Sequence, residues 1–208
     1  LGHVEGHYSL AIVNRGLALA LDSLTQEQVV FLPYHIQPYE RPADLPASQR
    51  DRLEAMFGRR IPADRAESTV SIVHHYPLIS DPEPARHRFI LFFWEETVVP
   101  AETVGHIQDN FDAVLVASTF VKRALRNSGC SLPIFVIPIG IDHLIGPGLA
   151  PIGPIKPTGN RLFRFLHVSS AFERKGIDVL LQAYFAEFNA NDAVELLIKT
   201  FVNPHNRV

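Results

Sequence analysis

The sequence has few of the residues that stabilise secreted scaffolds or membrane spans: one cysteine, Cys130, in 208 residues, and no apolar run near the roughly 20 residues that a membrane helix needs. A single cysteine cannot form an internal disulfide, so we expect a cytoplasmic protein. A peripheral contact with the inner face of a membrane stays open. The net charge is −3 without any basic block, which argues against nucleic-acid binding.

No initiator methionine opens the sequence, and we expect residues to be missing at both ends. The adjacent histidines at 74 and 75 lack accompanying cysteine or carboxylate ligands with zinc spacing, so no metal cofactor is expected. Hydrophobic residues make up 47% of the chain and charged residues 20%, the proportions of a soluble globular protein.

Short apolar runs alternate with amphipathic segments along the whole chain, which predicts an α/β fold with a doubly wound, Rossmann-like parallel sheet. Ser118 is a predicted helix N-cap, and Ser48 a predicted helix start. Strands are predicted at 28–32, 69–73, 89–94, 113–117, 134–137, 163–168 and 194–199. Helices are predicted from Ser9, from Ser48, at 100–110, 120–128 and 177–188.

Glycine and proline punctuate residues 146–160, which predicts a linker between two domains. Residues 1–145 then form an N-terminal Rossmann-like domain whose first strand is expected to be missing. Residues 161–208 contain one βαβ unit, the beginning of a second Rossmann-like domain and too small to bury its own faces.

The segment 163–184 predicts a strand, a short polar loop and a helix, an arrangement whose free backbone N–H groups and helix dipole favour an anion. Lys175 lies at the predicted helix start, where a cation is unfavourable unless an anion accompanies it. We therefore predict diphosphate binding by Lys175, with Arg174 assisting or facing solvent. The alternative is a solvated lysine.

Polar residues also follow two predicted strands of the first domain, where ligands of doubly wound sheets bind. His74 and His75 follow residue 73, and such histidines orient a sugar hydroxyl or transfer a proton, or else bond only to nearby backbone. Glu95 and Glu96 follow residue 94 and are candidates for binding hydroxyls or acting as a base, or else cap the next segment or face solvent.

A glycine-containing stretch precedes the first helix, and Gly6 within it would let a phosphate approach the backbone closely. An ordinary turn and helix cap explains the same pattern.

Four segments together resemble the family 4 retaining glycosyltransferases of the GT-B fold: 8–21, 93–100, 118–142 and 163–184. The last two carry the more specific likeness, through Ser118-Thr-Phe-Val-Lys-Arg followed by Val136-Ile-Pro-Ile-Gly-Ile-Asp142, and through Glu173-Arg-Lys-Gly-Ile-Asp-Val-Leu-Leu181. The family's GT-B fold implies an acceptor domain and a nucleotide-sugar domain facing a cleft.

The resemblance implies transfer of a hexose from a nucleotide sugar to a hydroxyl of a saccharide or lipid-linked acceptor, with retention and without a metal. Glu95 and His75 become the expected catalytic residues, and His74 and Glu96 bind the acceptor. The donor diphosphate is expected at Lys175 and Arg174, with Gly6 below it.

One departure from the family concerns the donor site. Ser169 and Ser170 stand where the family commonly has an arginine, and hydroxyls bind phosphate without supplying charge. The family's paired-glutamate motif would also lie beyond residue 208, so the chain is expected to be an inactive fragment of the enzyme. Two alternatives remain: a non-catalytic module that binds nucleotide sugars, and a GT-B sugar-nucleotide epimerase.

Overall fold

The computed structural model describes residues 1–3, 9–25, 28–33, 45–79, 83–141 and 163–200. Gly6 and the predicted linker 146–160 lie outside these residues. The chain divides into two compact units, Leu1–Ile145 and Gly146–Val208. No helix in the described ranges has both the length and the apolar character needed to cross a membrane.

Helices and strands alternate in both units. The helices are α1 (Ser9–Leu24), α2 (Ala47–Phe57), α3 (Ala101–Asn110), α4 (Thr119–Asn127) and α5 (Ile177–Glu187). The strands are β1 (Val70–Val73), β2 (His87–Phe92), β3 (Ala113–Val116), β4 (Ile134–Val136), β5 (Phe163–Val168) and β6 (Val194–Lys199). Short 3-10 helices cover Ala63–Ser68 and Glu173–Lys175.

The first unit contains a four-stranded parallel sheet in the order β1-β2-β3-β4. The start of the chain extends this sheet beyond β1, since Gly2 forms parallel bridges with both His74 and Pro33. Backbone hydrogen bonds join Gly2 N to Leu32 O at 3.1 Å and His74 N to Leu1 O at 2.9 Å. This α/β architecture with a parallel sheet is consistent with a Rossmann-like fold.

The main core of the first unit lies between this sheet and α3 and α4. Apolar side chains of β2, β3 and the two helices fill it, because the strands are covered by helices that each bury one apolar face. Its most buried members are Val73, Ile90, Val99, Ile107, Val114, Val116 and Leu125.

The residues that α1 buries recur at helical spacing, but they are not its largest apolar residues. The buried positions are Ala11, Asn14, Arg15 and Ala18, whereas the larger apolar residues that recur at helical spacing, Leu10, Val13, Leu17 and Leu21, are only half-buried. Two of the four buried positions are therefore polar. Polar residues in such a stripe need partners inside the protein.

The second unit contains β5, α5 and β6, with the two strands paired in parallel. The apolar run 163–168 predicts a buried strand. This prediction is wrong for β5, because its residues Phe163, Leu166 and Val168 are each about 60% exposed. One βαβ unit offers a single helix to cover a two-stranded sheet, so much apolar surface stays in contact with solvent.

Most other predicted elements form within one or two residues of their expected ends. Strand β2 begins and ends two residues earlier than predicted, at His87 and Phe92. The predicted strand 28–32 does not form a regular strand, although Pro33 bridges to Gly2. Within it, the backbone N–H of Phe31 instead donates to Met56 O, near the end of α2.

Candidate functional site

The order of the parallel segments reverses direction at Gly2 in the first unit. From the Gly2 segment the chain leads to Pro33 on one side, and later returns to β1 on the other. Such a switch point opens a crevice at the carboxyl ends of the strands, where doubly wound sheets bind ligands. His3 and His74, which directly follow these two paired segments, stand at this position.

Asn14 of α1 joins the two segments at the switch point. Its amide nitrogen Nδ2 donates to the backbone oxygen of His3 at 2.9 Å and to that of His74 at 3.2 Å. Its oxygen Oδ1 lies 2.6 Å from Nδ1 of His74. Asn14 is 94% buried by the same packing (6% exposed), so the polar group in the helix stripe is satisfied by three partners.

Gly2 leaves the space that this arrangement needs. A Cβ atom at this position would lie 2.2 Å from the backbone oxygen of His74 and 2.6 Å from Nδ2 of Asn14. Only a residue without a side chain allows the first segment to approach β1 and Asn14 so closely. The glycine therefore serves packing at the switch point.

His74 is 3% exposed, and its ring meets Phe93, directly after β2, edge to face at 4.6 Å between centroids. Burial lowers the pKa of His74 from 6.5 to about 4, and the nearby charge of His3 acts in the same direction. The imidazole is therefore neutral at pH 7. Its second nitrogen, Nε2, is buried and has no hydrogen-bond partner among the described residues.

His75 extends the histidine cluster away from β1. It is 6% exposed, and its Nδ1 lies 2.7 Å from the backbone oxygen of Pro77, to which it donates. Its ring stacks on that of His3 with centroids 4.2 Å apart. The alternative role that the sequence allowed, bonding to nearby backbone, thus accounts for one nitrogen of His75.

The two carboxylates of the neighbouring loop are placed differently from the histidines. Strand β2 ends at Phe92, so Glu95 follows after a short extended segment, and both Glu95 and Glu96 are exposed. The indole Nε1 of Trp94 donates to Val98 O at 2.9 Å and closes the turn that carries them. Their proposed roles stay predictions.

The predicted anion site of the second unit has the expected strand–loop–helix order. Ser169 and Ser170 follow β5 and are half-buried, and Oγ of Ser169 lies 2.7 Å from Nε2 of His167. Lys175 and Arg174 are exposed in the 3-10 helix before α5.

Gly176 separates this 3-10 helix from α5, with φ of 64° in the left-handed region. Glycine adopts that conformation without strain, so the chain can turn sharply between Lys175 and the first turn of α5. The assignment of a diphosphate to this loop stays a prediction.

Sequence reasoning missed Asn14 and His3, which complete the cluster around His74. Asn14 carried a signal, because it shares a stripe of helical spacing with Ala11 and Ala18, and a polar residue there predicts a buried partner. His3 carried none that can be seen without the sheet order. Among the described residues no three histidine, cysteine or acidic side chains are arranged to hold a metal ion.

Comparison with protein-family models, with curated proteins and with solved structures gives no match for this chain.

Proposed function

We propose that this chain belongs to an enzyme that transfers a hexose from a nucleotide sugar to an acceptor hydroxyl, with retention of configuration. One observation carries the proposal: a buried, neutral histidine, whose Nε2 has no hydrogen-bond partner among the described residues, lies at the switch point of a parallel sheet. A neutral imidazole exchanges a hydrogen bond with a sugar hydroxyl without attracting a competing anion.

In the proposed reaction the bond between the anomeric carbon and the diphosphate oxygen breaks, and a bond to the acceptor oxygen forms. The acceptor hydroxyl loses its proton, for which His75 and Glu95 are the candidate carriers. The nucleoside diphosphate leaves with increased negative charge. Lys175, Arg174 and the N–H groups at the start of α5 would stabilise that charge, with Ser169 and Ser170 as uncharged donors.

Binding of the donor is the first test, since it needs no acceptor. The 208-residue chain is titrated calorimetrically with UDP-glucose, GDP-mannose and ADP-glucose, and with the same nucleoside diphosphates without the sugar. We expect one of the three nucleotide sugars to bind, and we expect Lys175→Ala to lower the affinity for it by about tenfold or more. Lys122→Ala, on α4, is the control and should bind as the wild type does.

The contribution of His74 is tested with His74→Gln, and His106→Gln is the control. In the wild type, Nε2 of His106 bonds the backbone oxygen of Ile79 at 2.8 Å. The resemblance implies that His74 binds the acceptor; here we propose that it contacts the sugar being transferred. We then expect His74→Gln to weaken binding of the intact nucleotide sugar more than binding of the bare diphosphate. Absence of binding by every nucleotide sugar would remove the proposed function.

A non-catalytic module that binds nucleotide sugars is the second candidate. Two features favour this second candidate. The loop after β5 has the uncharged Ser169, and the turn after β2 has its carboxylates, Glu95 and Glu96, in exposed positions, so neither loop holds a buried charge. Tight binding of a nucleotide sugar, without hydrolysis or transfer, would select the module. Conversion of the sugar without any acceptor would instead identify an epimerase.

A further inference from the structure

The orientation of the Asn14 amide follows from its neighbours. One end of the amide faces two backbone oxygens, those of His3 and His74, at 2.9 and 3.2 Å. Carbonyl oxygens only accept hydrogen bonds, so that end must be the NH₂ group. The reverse orientation would place Oδ1 against both carbonyl oxygens and leave the NH₂ group beside the ring.

The protonation of His74 follows from that orientation. Oδ1 of Asn14 accepts and never donates, and it lies 2.6 Å from Nδ1 of the imidazole, so Nδ1 carries the hydrogen. A neutral imidazole has only one N–H group. The other nitrogen, Nε2, therefore presents a lone pair, and it is the buried atom without a partner among the described residues.

We propose that Asn14 is a positioning residue that fixes His74 in the Nδ1–H tautomer, so that Nε2 accepts a hydrogen bond from a ligand O–H group. The inference deepens the proposed function and rests on it for the identity of the ligand as a sugar. At the switch point Nε2 then favours a hydroxyl, which donates a hydrogen bond to it. A phosphate oxygen only accepts hydrogen bonds and is therefore disfavoured there. A donor phosphate is then held elsewhere.

The geometry around Asn14 explains why asparagine suits this position. Aspartate would keep the acceptor for Nδ1 but would turn a second oxygen towards the carbonyl groups of His3 and His74. It would also place a negative charge beside the ring and favour the doubly protonated imidazolium. Leucine has a similar size but removes both the acceptor and the donors.

The test reads the tautomer directly. The ¹⁵N-labelled 208-residue chain is examined without ligand at pH 7 by two-bond ¹H–¹⁵N correlation of the imidazole rings, and the His74 signals are identified by their loss in His74→Gln. We expect the pattern of an Nδ1–H tautomer in the wild type. Asn14→Leu should shift His74 towards Nε2–H, and Asn14→Asp should shift it towards the imidazolium.

Asn110→Leu is the matched control, since Asn110 also donates from its amide to a backbone oxygen, that of His106 at 2.8 Å. It should leave the His74 signals unchanged. An Nε2–H tautomer in the wild type would overturn the proposal, and so would an unchanged tautomer in a folded Asn14→Leu. The wild-type spectrum decides the tautomer even if a variant fails to fold.

The result is separable from the proposed function. If no nucleotide sugar binds while the Nδ1–H tautomer is observed, the proposed function fails and the role of Asn14 in setting the tautomer stands. If a nucleotide sugar binds and the wild-type tautomer is Nε2–H, only the inference about Asn14 fails. If both the proposed function and the inference hold, Asn14→Leu should lower the affinity for the nucleotide sugar by about tenfold or more. The Nε2–H group of His74 would then face the hydrogen of the sugar hydroxyl, and two donors cannot bond to each other.

Discussion

At the scale of single residues, the ionisation of His74 is linked to folding. Its ring is enclosed by the first segment of the chain, by Asn14 and by Phe93, so a charged imidazole would lose its hydration there. Burial therefore lowers its pKa to about 4. The same enclosure that keeps the imidazole neutral makes the fold sensitive to acid.

We expect the free energy of unfolding to fall as the pH drops from about 6.5 to about 4, by roughly 3 kcal/mol from His74 alone. In this window the unfolded chain binds a proton that the folded chain does not. The stability is fully present above the unfolded pKa of 6.5 and is lost towards 4. Urea unfolding at pH 7, 5.5 and 4.5 measures the slope.

His74→Gln should flatten this dependence, while His87→Gln, at an exposed position of β2, should keep it. Equal slopes in the wild type and in His74→Gln would contradict the buried neutral state of His74.

Gly2 gives a second prediction at this scale. Gly2→Ala should lower the free energy of unfolding by about 2 kcal/mol or more, because the new Cβ would overlap the backbone oxygen of His74. Gly16→Ala in α1 meets no atom within 4 Å and should raise it by up to about 1 kcal/mol. Urea unfolding of both variants provides the comparison, and a neutral Gly2→Ala would refute the tight approach.

At the scale of elements, the start of α4 shows how local chemistry fixes a boundary. Ser118 has extended backbone and its Oγ accepts from the N–H of Val121 at 3.3 Å, which satisfies one of the free donors of the first turn. Helix α2 begins differently: it starts at Ala47 after Pro46, and no side chain caps it. The predicted start at Ser48 therefore lies inside the helix.

The two serines should respond differently to alanine. We expect Ser118→Ala to cost about 1 kcal/mol in the free energy of unfolding, since it loses the cap. Ser48→Ala should be neutral or slightly stabilising, because alanine is the better helix former within a turn. Thermal or urea unfolding measures both, and similar losses in the two variants would show that Ser118 does not act as a cap.

At the scale of the whole molecule, the two units differ in how much apolar surface they bury. The first unit encloses a core from four strands and two helices, whereas the described part of the second buries only Ala171 and Ile177 among its apolar residues. Local stability follows the number of buried apolar contacts that an opening must break.

We therefore expect amide hydrogens of β2 and β3 to exchange much more slowly than those of β5 and β6. Hydrogen exchange of the full chain, followed by mass spectrometry, measures this. The difference should exceed about tenfold in rate. Comparable protection of β5 and β2 would mean that the exposed strand is covered in solution.

The sequence predicted most elements because their signals are local. Strands such as 113–116 are short apolar runs between turn residues, and α3 and α4 have terminal residues with known preferences. The prediction of a strand at 28–32 was wrong, because the backbone there bonds to distant residues: Pro33 bridges to Gly2, and Phe31 donates to Met56 O in α2. The exposure of β5 could not be predicted, because an apolar run indicates that its residues prefer burial. It does not indicate which neighbouring elements are present to cover them.

The candidate site was predicted in part. His74 was identified because polar residues after a buried strand lie at the ligand-binding edge of a parallel sheet, and the structure places it at the switch point. Asn14 and His3 were missed, because they are distant in sequence from His74 and meet it only through the pairing of Gly2 with the end of β1.

The sequence by itself therefore determined the alternation of helices and strands, the start of α4 at Ser118, and the presence of a histidine pair after an apolar run. Only the tertiary structure decided the order of the parallel segments, the burial of His74 and the tautomer that Asn14 imposes on it. The first group depends on backbone preference and local hydrogen bonds. The second depends on contacts between residues far apart in the chain, which exist only once the sheet has formed.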